Sequence, residues 1–165
     1  KFGSFGVSFN ATNEFVNYSS PTMLDNLSQI SISAWIYPTD AGESGTGRIV
    51  EKAVALGPVN GWAFFVRDIP PTINDSIAFF VDYSTTDLSI TSANNTIKYN
   101  EWQHVAVAWD GTSSSSSIHL YVNGIEVTNH SSTSGAGTRQ NDSAASLLVG
   151  SDGTQARTFN GTIIR

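Results

Sequence analysis

The feature that most constrains this chain is a period-two alternation of apolar residues, repeated in many short segments. In the clearest case, Ile30, Ile32, Ala34 and Ile36 alternate with polar or aromatic residues. Successive side chains of a β-strand point to opposite faces of the sheet, so each segment predicts a strand with one buried face. The five clearest strands are predicted over Gln29–Pro38, Gly61–Asp68, Ser76–Tyr83, Trp102–Asp110 and Ser117–Asn123. Shorter strands are predicted over Ser4–Phe9, Glu14–Tyr18, Arg48–Ala53, Asp87–Ser92, Ser146–Gly150 and Thr158–Ile164.

The segments between these strands are typical of turns and loops. Asn123-Gly124 is the strongest hairpin signal, because both residues tolerate the positive φ angles of two-residue hairpin turns. No segment of helical length has an apolar stripe of 3.6-residue period, and Ser19–Gln29 is predicted to hold only a short helical turn. The polar stretches Thr112–Ser117 and Ser131–Ser143 are predicted to be loops. These patterns predict an all-β fold, a two-sheet antiparallel β-sandwich.

Composition limits what such a sandwich can do. The length of 165 residues suits a single domain over Lys1–Arg165. The chain has no cysteine, which excludes a disulfide scaffold, cysteine-ligated zinc and a thiol nucleophile. Eight basic and fourteen acidic residues give a net charge of −6, which argues against a nucleic-acid partner. No apolar run approaches the roughly 20 residues of a membrane span.

Several motifs, in one collinear order, resemble those of laminin G-like, concanavalin A-like jelly-roll domains of bacterial or viral type. They are Val7–Val16, Ala34–Ile36, Gly61–Phe64, Trp102–Gly111, Leu120–Gly124, Leu148–Gly150 and Phe159–Ile163. The resemblance implies a jelly roll of the lectin/glucanase superfamily. Asn10-Ala11 replaces the usual Asn-Gly or Asp-Gly turn, and Ile164-Arg165 replaces an acidic pair. The second departure implies a truncated C-terminal strand and the loss of an acidic residue that often helps relatives hold calcium.

The sequence predicts no catalytic centre. Related glucanases use two close glutamates on one strand, because glycoside hydrolysis needs a pair of carboxyl groups about 5–10 Å apart. The glutamates of this chain lie far apart in sequence, at Glu14, Glu43, Glu51, Glu101 and Glu126. His104 is interpreted as a packed histidine at a strand start, and no histidine has a metal-ligand spacing. Calcium is the one cofactor candidate, through the loop acids Asp40, Glu43, Asp68, Asp75 and Asp152.

The outward-facing positions of the predicted strands carry large aromatic residues. Exposed aromatic rings on a sheet face need a covering element or a partner, and sugar rings stack on aromatic faces. We therefore expect a concave outer face that binds a glycan or surface polysaccharide, with loops covering that face as the competing interpretation. The predicted ligand-binding residues are Trp35, Phe65, Arg67, Phe80, Asp82 and Tyr121.

The function predicted from these features is that of a non-catalytic binding or adhesion module of an extracellular, cell-surface or virion protein. The alternative is a structural spacer whose outer face packs against a neighbouring domain or protomer. A glycoside hydrolase is disfavoured because the paired carboxylates are missing.

Overall fold

The computed structural model describes residues 6–55, 57 and 59–164, and it contains thirteen β-strands. The strands are β1 (Val7–Asn10), β2 (Val16–Asn17), β3 (Ile30–Pro38), β4 (Arg48–Lys52), β5 (Trp62–Ile69), β6 (Ile73–Val81), β7 (Leu88–Ser92), β8 (Gln103–Trp109), β9 (Ile118–Val122), β10 (Ile125–Glu126), β11 (Asn129–Thr133), β12 (Leu147–Val149) and β13 (Asn160–Ile164). Short 3-10 turns occupy Thr22–Leu24, Glu43–Gly45 and Ser115–Ser117. No helix in the described ranges is long and apolar enough to cross a membrane.

The strands form two antiparallel sheets. The six-stranded sheet has the order β1-β13-β3-β8-β9-β10, and the seven-stranded sheet has the order β11-β7-β6-β5-β4-β12-β2. Neighbours in the sheets are often distant in the chain, as in β13 between β1 and β3, which is typical of a jelly roll. The predicted two-sheet β-sandwich is therefore confirmed.

The core lies between the two sheets and is built from the alternating aliphatic positions. On β3 and β8, Ile32 lies opposite Val107 and Ala34 lies opposite Val105. The alternate apolar side chains of both strands therefore point to the same face of the sheet, toward the core. Phe64 and Phe79 are the corresponding inward residues of β5 and β6, and both are fully buried. Because these residues fix which phase faces inward, they also fix which side chains face solvent.

The turn and hairpin predictions agree with the structure. Asn123 and Gly124 have φ angles of 52° and 79°, and they connect β9 to β10 in antiparallel register. Positive φ at both central residues is the geometry that matches the right-handed twist of the flanking strands. The short helical turn predicted within Ser19–Gln29 is the 3-10 turn at Thr22–Leu24.

Two sequence predictions need correction or restriction. Ser131–Ser143 is not entirely a loop, because its first three residues belong to β11, which pairs with β7 at the edge of the seven-stranded sheet. All five side chains of β11 are exposed, so the strand has no buried face to produce an alternation. In the predicted strand Ser4–Phe9, residues 4 and 5 lie outside the described residues, and β1 begins at Val7.

A buried ionic network closes one end of the sandwich. Lys52 has no exposed surface, and its Nζ donates to Asp25 Oδ1 at 2.9 Å and to the Asp142 carbonyl at 2.5 Å. Asp142 is also fully buried and accepts a bond from Arg139 at 3.3 Å. This network joins the segments around residues 25 and 142 to β4. Its charges are mutually compensated, as buried charges need to be.

The C-terminal strand is an interior strand of its sheet. β13 pairs with β1 on one side and with Trp35–Pro38 of β3 on the other. Phe159, just before β13, is fully buried and meets Phe9 edge-on with ring centroids 6.5 Å apart. β13 covers only part of this edge of β3: along the same edge, no described strand pairs with Ile30–Ala34.

Candidate functional site

The six predicted ligand residues lie on two opposite surfaces. Trp35 and Tyr121 lie on the outer face of the six-stranded sheet, on β3 and β9. The other four belong to the seven-stranded sheet, where Phe65, Arg67 and Phe80 face outward and Asp82 follows the end of β6. The structure therefore does not bring the six together, and the expectation of one shared surface is corrected. Alternation along a strand predicts the outward phase, but it does not predict the sheet to which the strand belongs.

The outer face of the six-stranded sheet carries a group of rings that we call the aromatic face, defined by Trp35, Tyr37, Trp102, His104 and Tyr121. Trp35 packs against His104 with ring centroids 5.4 Å apart, and Tyr37 packs against Trp102 at 5.5 Å. Trp102 is 38% exposed, and the other four are half-buried. Each pair joins β3 to the start of β8, so the rings are held by side chains on neighbouring strands.

A shallow trough beside these rings has a floor of small residues. In the register of β3, β8 and β9, Ser33 lies opposite Ala106, and Ala106 lies opposite Tyr121. The trough has a volume of about 190 Å³ and is lined by Ser31, Ser33, Ala106, Ala108 and Tyr121, with Ile32 and Val107 beneath. Short side chains between tall rings leave room for a flat ligand to reach the faces of the rings.

Polar groups lie at the margin of the trough. His119 lies opposite Ala108 in the sheet register, and its Nδ1 is 2.7 Å from Glu126 Oε1. Both side chains are about half exposed, at 46% and 54%. With the hydroxyls of Ser31, Ser33 and Tyr121, these groups provide hydrogen-bonding capacity around an otherwise apolar surface.

The outer face of the seven-stranded sheet is more covered than the sequence predicts. Phe65 points outward but is only 2% exposed, because the Arg48 guanidinium lies 4.2 Å from the centre of its ring. Phe65 also packs edge-on against Phe80, with centroids 5.2 Å apart, and Ala63 and Ala78 beside them have no exposed surface. Phe65 is therefore a covered residue of a second small apolar cluster, and Phe80 is the partly exposed one.

Arg48 is itself held by a buried ion pair. Its Nε donates to Glu51 Oε2 at 2.6 Å, and neither side chain has any exposed surface. Burial lowers the pKa of Arg48 and raises the pKa of Glu51, and in each case the charge of the other partner opposes that shift. Glu51 is thus enclosed and ion-paired, which leaves it unable to act on a ligand at the surface.

Arg67 crosses the middle of this face. It lies opposite Ser76 on β6, and its Nη1 donates to Thr91 Oγ1 on β7 at 3.0 Å. Its guanidinium carbon is 5.3 Å from the centre of the Phe80 ring. Burial is the main cause that lowers the pKa of Arg67, and repulsion from Arg157 adds to it.

A second opening lies between the sheets, beside the part of β3 that lacks a described partner strand. Its volume is about 320 Å³, and its lining is aliphatic apart from Tyr18 and Ser33. A sugar needs several polar groups to fix its orientation, so this cleft suits a glycan less well than the trough does.

Comparison with known proteins assigns the chain to a family. The family profile described as the concanavalin A-like lectin/glucanases superfamily matches residues 10–164. The chain is a laminin G-like domain of this superfamily. A search of curated protein sequences finds no significant match.

Solved structures with the same fold include two carbohydrate-binding domains. The CBM40 domain of a Ruminococcus gnavus IT-sialidase, bound to α2,3 sialyllactose, is 12% identical with a TM-score of 0.61; the match covers 96% of this chain and 85% of that one. Domain 4 of AbnA, a GH43 extracellular arabinanase from Geobacillus stearothermophilus, was solved with arabinotriose. It is 16% identical with a TM-score of 0.60, and the match covers 99% of this chain and 70% of that one. At these identities the likeness shows a shared fold.

Two of the five predicted calcium ligands, Asp68 and Asp75, are not loop residues, because they lie within β5 and β6. Two others, Asp40 and Asp152, accept hydrogen bonds from neighbouring residues. Asp40 accepts bonds from Gly42 N and Asn160 Nδ2 at 2.7 Å each, and Asp152 Oδ1 accepts three bonds from Thr154 and Ala156. Within the described ranges, no three His, Asp or Glu side chains are grouped to hold a metal ion. A calcium ion would therefore take most of its ligands from carbonyl oxygens or water.

Three members of the aromatic face were not among the predicted ligand residues. Tyr37 follows Trp35 by two positions, and Trp102 precedes His104 by two. Side chains two positions apart on a strand point to the same face of the sheet, so alternation predicts that Tyr37 and Trp102 face outward as Trp35 and His104 do. His104 was interpreted as a packed histidine at a strand start. Its backbone N–H donates to Asn123 Oδ1 at 2.9 Å, and its ring lies on the aromatic face against Trp35.

Proposed function

We propose that this laminin G-like domain is a non-catalytic carbohydrate-binding module that holds a glycan on its aromatic face. The observation that carries the proposal is the partly exposed group of rings beside a floor of serine and alanine. The C–H faces of a pyranose ring pack against aromatic rings, while hydroxyl and imidazole groups at the margin accept or donate hydrogen bonds. The trough between Ser33, Ala106 and Tyr121 brings such a ligand against the Tyr121 ring.

The structural neighbours support this proposal at the level of the fold. One was solved with a sialylated trisaccharide and the other with an arabinose trisaccharide, and both are domains of glycoside hydrolases. A parent protein that is secreted or displayed at a surface fits such a module, and the AbnA neighbour is described as extracellular.

We propose a non-catalytic module because of where the carboxylates lie. Hydrolysis of a glycosidic bond needs two carboxyl groups flanking the bond, about 5–10 Å apart. No carboxylate lines the trough in the part of the chain that the structure describes. Glu126, at the β10 edge, is hydrogen-bonded to His119 instead.

A glycan array tests the proposal directly. We expect saturable binding of the wild-type domain to at least one glycan, lost in Tyr121→Ala and retained in part by Trp35→Phe, which keeps an aromatic ring. His130→Ala is the matched control, since His130 is exposed on β11 of the opposite sheet. A domain that binds no glycan, and that dimerises as its concentration rises, would contradict the proposal and favour the spacer.

A further inference from the structure

Basic residues are distributed unequally between the two sheets. The strands of the six-stranded sheet, which carries the aromatic face, contain neither lysine nor arginine. The seven-stranded sheet holds Arg48 and Lys52 on β4 and Arg67 on β5. The described residues that line the trough likewise include no lysine or arginine. An acidic sugar in the trough would therefore have no cation there to compensate its carboxylate.

The charged groups at the margin of the trough are His119 and Glu126, whose Nδ1 and Oε1 atoms are 2.7 Å apart. With a neutral imidazole this exposed pair carries one negative charge, and with a protonated imidazole its charges cancel. The pair therefore never supplies a net positive charge. The net charge of −6 of the chain also repels anions. These charges disfavour an acidic sugar and do not oppose the binding of an uncharged one.

The rings of the aromatic face follow one another along β3 and β8. The paired positions, in order along β8, are Ala106 with Tyr121, His104 with Trp35, and Trp102 with Tyr37. Successive pairs are two residues apart, or about 7 Å at about 3.4 Å per residue, so the first and last pairs are about 13–14 Å apart. This distance exceeds the width of one sugar ring. A ligand that contacts the rings at both ends must therefore be a chain of several sugar units.

We propose that the aromatic face binds an uncharged glycan chain, with one sugar unit in the trough against Tyr121 and further units laid along β8 toward Trp102. The proposal rests on the proposed function and narrows it to one class of ligand. The C–H faces of neutral sugars pack against the rings, and their hydroxyls bond to Ser31 and Ser33, which are exposed at the trough. Trp102, which is 38% exposed, is the ring at the far end. Sialylated glycans are disfavoured, although a neighbour of the same fold was solved with sialyllactose.

Calorimetric titration tests the length and the charge of the ligand separately. The neutral probes are the di-, tri- and tetrasaccharides of cellulose, laminarin and mannan. The acidic probes are α2,3 sialyllactose and the C6-carboxylated form of each tetrasaccharide, which keeps the length and linkage of its neutral parent. All titrations are run at about pH 8, so that a protonated imidazole does not supply a positive charge.

Trp102→Ala removes the ring at the far end of the aromatic face and leaves the trough unchanged. His130→Ala is the matched control, because His130 is exposed on β11 of the opposite sheet. Melting temperatures establish that each variant is folded.

We expect at least one neutral series to bind, with affinity rising about tenfold or more from the disaccharide to the tetrasaccharide. Trp102→Ala should remove most of that gain and leave binding of the disaccharide nearly unchanged, and His130→Ala should bind as the wild type does. The carboxylated tetrasaccharide and sialyllactose should bind at least about tenfold more weakly than the neutral tetrasaccharide.

The proposal is overturned if no neutral series binds, if the carboxylated tetrasaccharide binds as tightly as its neutral parent, or if affinity does not increase with chain length. Acidic-glycan binding that Tyr121→Ala abolishes would preserve the proposed function while removing this narrower assignment. A domain that binds neither class of glycan would contradict both.

Discussion

Replacing Phe159 by alanine should destabilise the domain more than almost any other single change near the chain end. The ring is fully buried between the sheets and makes an edge-on contact with Phe9 at 6.5 Å. Truncating a buried phenylalanine costs about 3–5 kcal/mol, because the lost transfer free energy adds to that of the remaining cavity. For a domain of this size each kcal/mol lowers the melting temperature by about 2–4 °C, so we expect a decrease of roughly 6–20 °C.

Urea unfolding followed by tryptophan fluorescence measures this effect, since the indoles of Trp62 and Trp109 are buried in the folded state. Ile125→Ala is the matched control, because Ile125 is 72% exposed and a change there should stay within about 0.5 kcal/mol. A loss below about 1 kcal/mol for Phe159→Ala would refute the packing of the C-terminal segment described above.

Two further substitutions and one activity assay test other parts of the description. Asp142→Ala should cost about 3–5 kcal/mol in urea unfolding, because it removes the buried carboxylate that pairs with Arg139 at 3.3 Å and with Lys52 at 3.5 Å; an effect as small as that of Ile125→Ala would contradict the network. Gly161→Ala should lower the melting temperature, since a Cβ there would lie 2.0 Å from the Tyr37 carbonyl oxygen at a φ of 135°. Hydrolysis assays on laminarin, lichenan and cellulose should show no turnover, and activity that disappears on mutating one glutamate would overturn the non-catalytic proposal.

The strands were predictable where one side of each is buried and the other is not. Gln103–Trp109 alternates strictly between buried and half-buried positions, and the sequence predicts it almost to the residue. β11 could not be found in this way, because all its side chains are exposed and its stability comes from main-chain bonds to β7. Such a strand depends on its neighbour and not on its own composition.

The candidate site was predictable only in part. The outward phase of Trp35 and Tyr121 follows from alternation, and both lie on the aromatic face. The separation of Phe65, Arg67 and Phe80 onto the other sheet depends on strand order, which alternation does not encode. The covering of Phe65 by Arg48 depends on a register shift between Arg48 and Val50, which likewise has no local sequence signal.

An NMR titration of the isotope-labelled domain, with a glycan that binds it on the array, tests directly whether the aromatic face is the binding surface. If the glycan lies on the aromatic face, the amide signals of Ser33, Ala106 and Tyr121 and the indole signal of Trp35 should shift together and saturate with the binding curve. Signals of β11, on the opposite sheet, should stay in place. Shifts confined to the seven-stranded sheet or to the loops, with those four signals unchanged, would show that the glycan does not bind on the aromatic face.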